Sequence, residues 1–233
     1  MKMPLSYAKR RAFHSKLLAW FRENSRDFPW RRTRDPWRIL LAEVLLQKTL
    51  AAKVVGVYEQ IAEEYPAPDD LAHADVRHLK RLIRPLGLEF RAHQLKGIAK
   101  WLVAEEGGHV PDTATHLLRI KGVGPYTASA VLAFAFQKRI GIVDANVARI
   151  FKRLFGLSDP LKGLDYAPHM REIADSLLPM KRVRDYNLAL LDFGALVCRS
   201  AGPKCDQCPF REDCAYGGTF GDCHPAKSCG IKT

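Results

Sequence analysis

The sequence predicts an all-α fold, and three observations carry that prediction. Apolar residues recur at helical spacing in one segment after another. Most of these segments are bounded by Gly, Pro or Asp. No stretch shows the period-two alternation of a half-buried strand. The first helix follows a cap at Ser6 and carries Phe13, Leu17, Trp20 and Phe21 at helical spacing, leaving Lys9, Arg10, Arg11 and Lys16 largely on other faces. That stripe is a core face. The aromatic, polar turn SRDFPWRRTRDPW comes next, then helices over 37–49 and 51–65, a pair closed by Pro66 and Pro68. Further helices are expected over 75–83, 88–106, 112–119, 125–137, 144–155, 165–178 and 183–198. There is no internal repeat, and the Gly- and Lys-containing tail after Tyr216 is expected to be disordered.

Composition narrows the classes of function. At 233 residues the chain is one large or two small domains, and 47% hydrophobic residues suffice for a packed core. Thirty-seven Lys and Arg against 25 Asp and Glu give a formal charge of +12. That balance points to a polyanionic partner, nucleic acid before membrane, against the alternative of a basic protein with merely solvated lysine faces. No apolar run approaches the roughly 20 residues of a membrane span. The start, MKMPLSYAKRRAFHSKLLAWF, lacks the unbroken apolar stretch of a signal peptide, so an intracellular location, cytoplasmic or nucleoid, is expected.

Cys198, Cys205, Cys208 and Cys214 are spaced C-x6-C-x2-C-x5-C. Closely spaced thiolates without a secretory signal are more often a metal site than free thiols. Their softness selects tetrahedral zinc or an iron–sulfur cluster. Structural zinc usually draws on two short knuckles, and only Cys205 and Cys208 form one, so the spacing leans toward the cluster. Cys223, His224 and Cys229 read as part of the tail rather than as a second site.

Residues 117–136, LLRIKGVGPYTASAVLAFAF, read as a helix–hairpin–helix. Gly122-Val123-Gly124 allows a tight turn whose amides face outward at a helix N-terminus, a phosphate site with Lys121 beside it. Pro125 suits the first turn of the next helix, where its missing N–H costs little. A plain helical hairpin with a glycine cap is the alternative.

With Gly122-Val123-Gly124-Pro125-Tyr126-Thr127-Ala128, then Val143-Asp144-Ala145-Asn146-Val147, then the four cysteines, the chain resembles the helix–hairpin–helix DNA glycosylases of the endonuclease III and MutY type. The likeness begins at FPWRRTRDPWRILLAEVLLQKT, residues 28–49, and so spans almost the whole chain. It implies a two-lobed all-α fold: a helical barrel over 27–140 that carries the hairpin, and a cluster domain made of 1–26 and 141–233. Double-stranded DNA with a mismatched or damaged base would cross the cleft between them and bind a monomer. It also implies that Cys198, Cys205, Cys208 and Cys214 hold one [4Fe-4S] cluster.

The resemblance further implies roles for single residues. Asp144 matches the family's carboxylate, which would stabilise an oxocarbenium-like sugar or orient the attacking water. It would also cap the following helix, which predicts a low pKa. Asn146 would help in the same turn. Enzymes acting on a base in a duplex flip it out of the stack; Gln47 falls where the family places the residue that fills the gap. As Gln47 lies four residues after Glu43, both are expected on one helix face. Tyr126 stands where bifunctional members carry a Schiff-base lysine, so the enzyme is expected to be monofunctional. A tyrosine there resembles the archaeal-type mismatch thymine-DNA glycosylases, its ring stacking on a flipped pyrimidine. Glu43 matches both MutY-type and mismatch-thymine members, and for adenine it would act as a general acid. Mismatch-thymine relatives can carry arginine at the Gln47 position, a departure here. The chain stops nineteen residues after Cys214, without the further C-terminal domain usual in MutY-type enzymes. Thymine or uracil opposite guanine is therefore the expected substrate. A short adenine glycosylase and a non-catalytic iron–sulfur DNA-binding protein are the alternatives.

Overall fold

The computed structural model describes residues 6–157 and 168–218; Cys223, His224 and Cys229 lie outside them. Twelve α-helices occur among the described residues: α1 (Tyr7–Asn24), α2 (Pro36–Leu46), α3 (Ala51–Glu64), α4 (Pro68–His73), α5 (Val76–Ile83), α6 (Phe90–Glu106), α7 (Ala114–Leu117), α8 (Pro125–Phe134), α9 (Ala145–Phe155), α10 (Pro168–Ser176), α11 (Val183–Leu196) and α12 (Ala215–Gly218). No strand occurs among them, as the all-α reading requires. None of these helices is long and apolar enough to cross a membrane. The chain divides into two compact units. One comprises Arg26–Ile142 and Leu178–Arg184; the other comprises the described parts of Met1–Ser25, Val143–Leu177 and Asp185–Thr233.

The first of these units is built around α2 and α8. Every residue of α2 from Ile39 to Leu45 is buried, and so is every residue of α8 from Thr127 to Phe134. Helices apolar on all sides belong in the middle of a core. These two pack on each other, and α2 also meets α3 and α6. Asp35 caps α2 by accepting from the Arg38 N–H at 2.9 Å, with Pro36 in the first turn. The buried Trp37 indole donates to the Tyr65 carbonyl at 3.1 Å, tying the end of α3 to the start of α2.

Three departures from the expected helices have identifiable causes. α2 stops at Leu46 rather than 49. The Leu45 carbonyl accepts from the Arg91 guanidinium at 2.8 Å, the same group reaches the Thr49 hydroxyl at 2.9 Å, and Lys48 takes φ +56°. Gln47 is thus the capping residue beyond the helix, and the expectation that it shares a helical face with Glu43 is overturned. α8 ends at Phe134 rather than 137: Gln137 takes φ +55° and the Lys138 N–H folds back to the Leu132 carbonyl at 2.9 Å. α4 was not anticipated, because Pro68 read as a terminator. It is the first residue of a new helix, whose Asp70 carboxylate accepts from the Ala67 N–H at 2.9 Å.

The second unit has an aromatic core. Phe13 of α1 lies 5.0 Å from Phe210, 6.2 Å from Tyr186 and 6.3 Å from Phe155 between ring centroids. Phe193 meets Phe210 at 5.3 Å and Trp20 at 5.1 Å. Ser6 caps α1 as expected, accepting from the Lys9 N–H. α9 and α11 approach very closely. A Cβ added at Gly194 of α11 would stand 2.6 Å from the Asn146 Cβ of α9, so only glycine fits.

Candidate active site and cysteine centre

The hairpin lies in the first unit. Leu118–Val123 turns between α7 and α8, with Gly124 as the cap and Pro125 as the first residue of α8. Gly122 takes φ +96°, a left-handed conformation that costs a residue with a Cβ, and a Cβ there would stand 2.6 Å from the Gln94 side-chain amide. Val123 is buried and its N–H donates to the Ile120 carbonyl at 3.0 Å. It closes the turn instead of offering its amide outward. Lys121 and Gly122 are exposed, and Gly124 and Tyr126 half-buried.

Gln47 reaches the same turn. Its side-chain amide donates to the Gly122 carbonyl at 3.3 Å. Gln94 of α6, which sequence reasoning did not single out, donates to that carbonyl at 3.1 Å and to the Gln47 side-chain oxygen at 3.4 Å. Glu43, deeper in α2, is 5% exposed. Since α2 packs on α8, Glu43 and Tyr126 stand on neighbouring helices.

Asp144 and Asn146 belong to the second unit. Asp144 caps α9: one carboxylate oxygen accepts from the Val147 N–H at 2.7 Å, the other from the Asn146 side chain at 2.7 Å. Burial is the largest influence on this carboxyl and raises its pKa. The bonds from Val147 and Asn146 and the charge of Arg149 pull the other way without cancelling it. The low pKa expected from capping alone is therefore reversed. Arg149 extends the set, donating to the Asn146 side-chain oxygen at 2.7 Å, to the Gly194 carbonyl at 2.9 Å and to the Cys198 carbonyl at 2.8 Å.

The cysteine loop follows α11 in the same unit. Cys198 is tied to the helix end through its N–H to the Phe193 carbonyl at 2.8 Å, and the Cys208 N–H meets the Cys205 carbonyl at 3.3 Å. Arg153, one turn beyond Arg149, donates to the Arg199 and Ser200 carbonyls at 2.7 and 3.1 Å and approaches the Cys198 Sγ at 3.6 Å. Phe210, between the last two cysteines, is 3% exposed and plugs the loop into the aromatic core. The thiols lie within electrostatic reach of one another. Burial first, then the charges of Cys198 and Cys214, raise Cys205; burial pushes Cys208 up to about 11, with the other three thiols adding to it. Soft sulfur donors within electrostatic reach of one another suit a multiply charged metal centre, which replaces their protons. Among the described residues no three His, Cys, Asp or Glu side chains are grouped as the ligands of a single ion.

The comparisons with known proteins agree with this architecture. Residues 41–166 match the family model of the HhH-GPD superfamily base excision DNA repair protein. The thymine/uracil-DNA glycosylase of Methanothermobacter thermautotrophicus is 38% identical over 210 residues, which is 89% of this chain and 94% of that one. Among solved structures, a thermostable thymine-DNA glycosylase superposes with a TM-score of 0.85 at 37% identity, over 91% of this chain and 98% of that one. An endonuclease III trapped as a covalent intermediate with DNA superposes at 0.79 and 24% identity, covering 92% and 98%, and shares the fold. Through its capped hairpin, the cysteine loop behind it in sequence and this kinship over nine-tenths of its length, the chain belongs to the HhH-GPD superfamily of base excision DNA repair proteins.

Proposed function

We propose that this protein is a monofunctional DNA glycosylase that removes thymine or uracil mispaired with guanine and leaves an abasic site. The observation that carries the reading is the Asp144 carboxylate, whose two oxygens are oriented by Val147 and Asn146. Once ionised, such a fixed anion stabilises the positive charge that develops on deoxyribose as the N-glycosidic bond breaks, and water supplies the hydroxyl that replaces the base. Tyr126 stacks against the flipped pyrimidine and offers its hydroxyl to the base edge; a phenol forms no Schiff base, so strand cleavage does not follow. Glu43 contacts the base edge. Gln47 fills the vacated stack, while Lys121 and the amides of Gly122 and Gly124 hold a backbone phosphate and Val123 closes their turn. The likeness to a relative named for thymine and uracil supports the choice of base.

The same reading assigns one [4Fe-4S] cluster to Cys198, Cys205, Cys208 and Cys214, whose donor chemistry fits it. Bound there, the cluster would hold rigid a loop too small to have its own core. The exposed Lys204, Arg199 and Arg211 on that loop then serve as contacts to the DNA backbone. Adenine removal is the second reading, favoured by one observation: buried Glu43 suits a general acid for a purine leaving group. Duplexes with T·G, U·G, A·G and A·8-oxoguanine pairs, assayed with and without alkali, test both. Release from T·G and U·G, with strand breaks only after alkali, is expected. Release confined to the adenine pairs would select the second reading, and breaks without alkali would refute monofunctionality.

A further inference from the structure

Two side chains of α6 reach the segment that carries Gln47. Arg91, 1% exposed, fixes the backbone of the turn through Leu45 and Thr49. Gln94, three residues on and so on the same helical face, takes the side chain. One amide nitrogen of Gln94 serves two acceptors, the Gly122 carbonyl at 3.1 Å and the Gln47 oxygen at 3.4 Å, while the Gln47 amide shares the Gly122 carbonyl at 3.3 Å. The contact is tight from the hairpin side as well, since a Cβ at Gly122 would fall 2.6 Å from that same nitrogen.

We infer that Gln94 is a positioning residue that docks Gln47 on the phosphate-binding hairpin and sets where Gln47 stands when DNA arrives. The inference rests on the base-flipping function proposed above. When Gln47 leaves the Gly122 carbonyl to enter the gap in the stack, Gln94 still donates to that carbonyl, so the turn keeps one of its two side-chain ties. Without Gln94, Gln47 has the same chemistry but no fixed starting point, and part of its contribution is lost to ordering.

A double-substitution cycle tests this on affinity for a duplex carrying a tetrahydrofuran abasic analogue opposite guanine. The set is wild type, Gln47→Ala, Gln94→Met and the double variant. Gln94→Met should weaken binding about fivefold, the scale of one hydrogen bond, and weaken the Gln47→Ala protein by no more than about twofold. The loss on undamaged duplex, which offers Gln47 no gap to enter, should be smaller than on the abasic duplex for both single variants. Equal weakening in both backgrounds, no weakening in either, or equal loss on undamaged duplex overturns the inference. Gln94→Leu is likewise uncharged and without a donor; it must reproduce the same pattern if Gln94→Met melts early. Base release by the wild type is read separately. Absence of release with a non-additive cycle refutes the glycosylase reading alone, and normal release with an additive cycle refutes the role of Gln94 alone.

Discussion

Gly194→Ala is the most informative single change in the second unit. Its added Cβ would lie 2.6 Å from the Asn146 Cβ, 3.3 Å from the Ile150 Cδ1 and 3.4 Å from the Asn146 Cα. Carbon atoms in contact prefer about 3.5–4.0 Å, so α9 and α11 must part by roughly 1 Å. Two of the three atoms are fixed to the α9 backbone and cannot swing aside. Overpacking of this kind costs about 1–3 kcal/mol, which corresponds to a fall in Tm of about 2–12 °C for a chain of this size. The same displacement lengthens the bond from Arg149 to the Gly194 carbonyl, 2.9 Å in the native protein, and carries Asp144, the cap of α9, away from α11 together with Asn146. Thermal denaturation followed by circular dichroism, alongside single-turnover base release, measures both effects. A Gly194→Ala protein melting within about 1 °C of wild type would refute the reasoning.

Asp144→Asn keeps the helix cap, as Asn caps as well as Asp. Because burial raises the native Asp144 pKa above its unfolded value, the wild type loses stability as pH rises through the interval between the two. The variant should therefore melt higher than wild type near neutrality, the gap closing below the ordinary carboxylate range, and its base release should be lost; equal melting at every pH would contradict the raised pKa. In the wild type the acid limb of the rate profile should lie above the ordinary carboxylate range, and a limb at or below that range would count against Asp144. Phe210→Ala removes a side chain that is 3% exposed, and should cost about 3–5 kcal/mol and lower the iron content of purified protein, with Phe210→Leu retaining it. Purified protein with stoichiometric zinc or no brown colour would overturn the cluster. Lys121→Ala should weaken binding alike on all duplex sequences and reduce the slope of log affinity against log salt by about one; loss confined to one mismatch would argue against a phosphate contact.

Much of the helical order was legible because its signals are local. Ser6 and Asp144 announce helix starts through side chains that bond a neighbouring amide, and both do so in the structure. What escaped the reading depends on partners distant in sequence. Nothing near Leu46 ends α2; Arg91, from another helix, takes the Leu45 carbonyl. The raised pKa of Asp144 has the same character, since capping is visible in six residues and burial is not. Gly194 sits within an ordinary helical pattern, and only its distance to Asn146 shows that glycine is required. Pro68 could have been placed correctly, because a proline followed by two aspartates is a helix-start signal.

Arg91 has a consequence for how this kind of protein changes over time. The bend holding residue 47 takes its shape from a buried guanidinium gripping backbone at Leu45 and the hydroxyl of Thr49, and none of that grip passes through the side chain at 47 itself. The tip is thereby separated from its mount. A different side chain can be tried at 47, altering what the turn presents, while the bend that delivers it keeps its form.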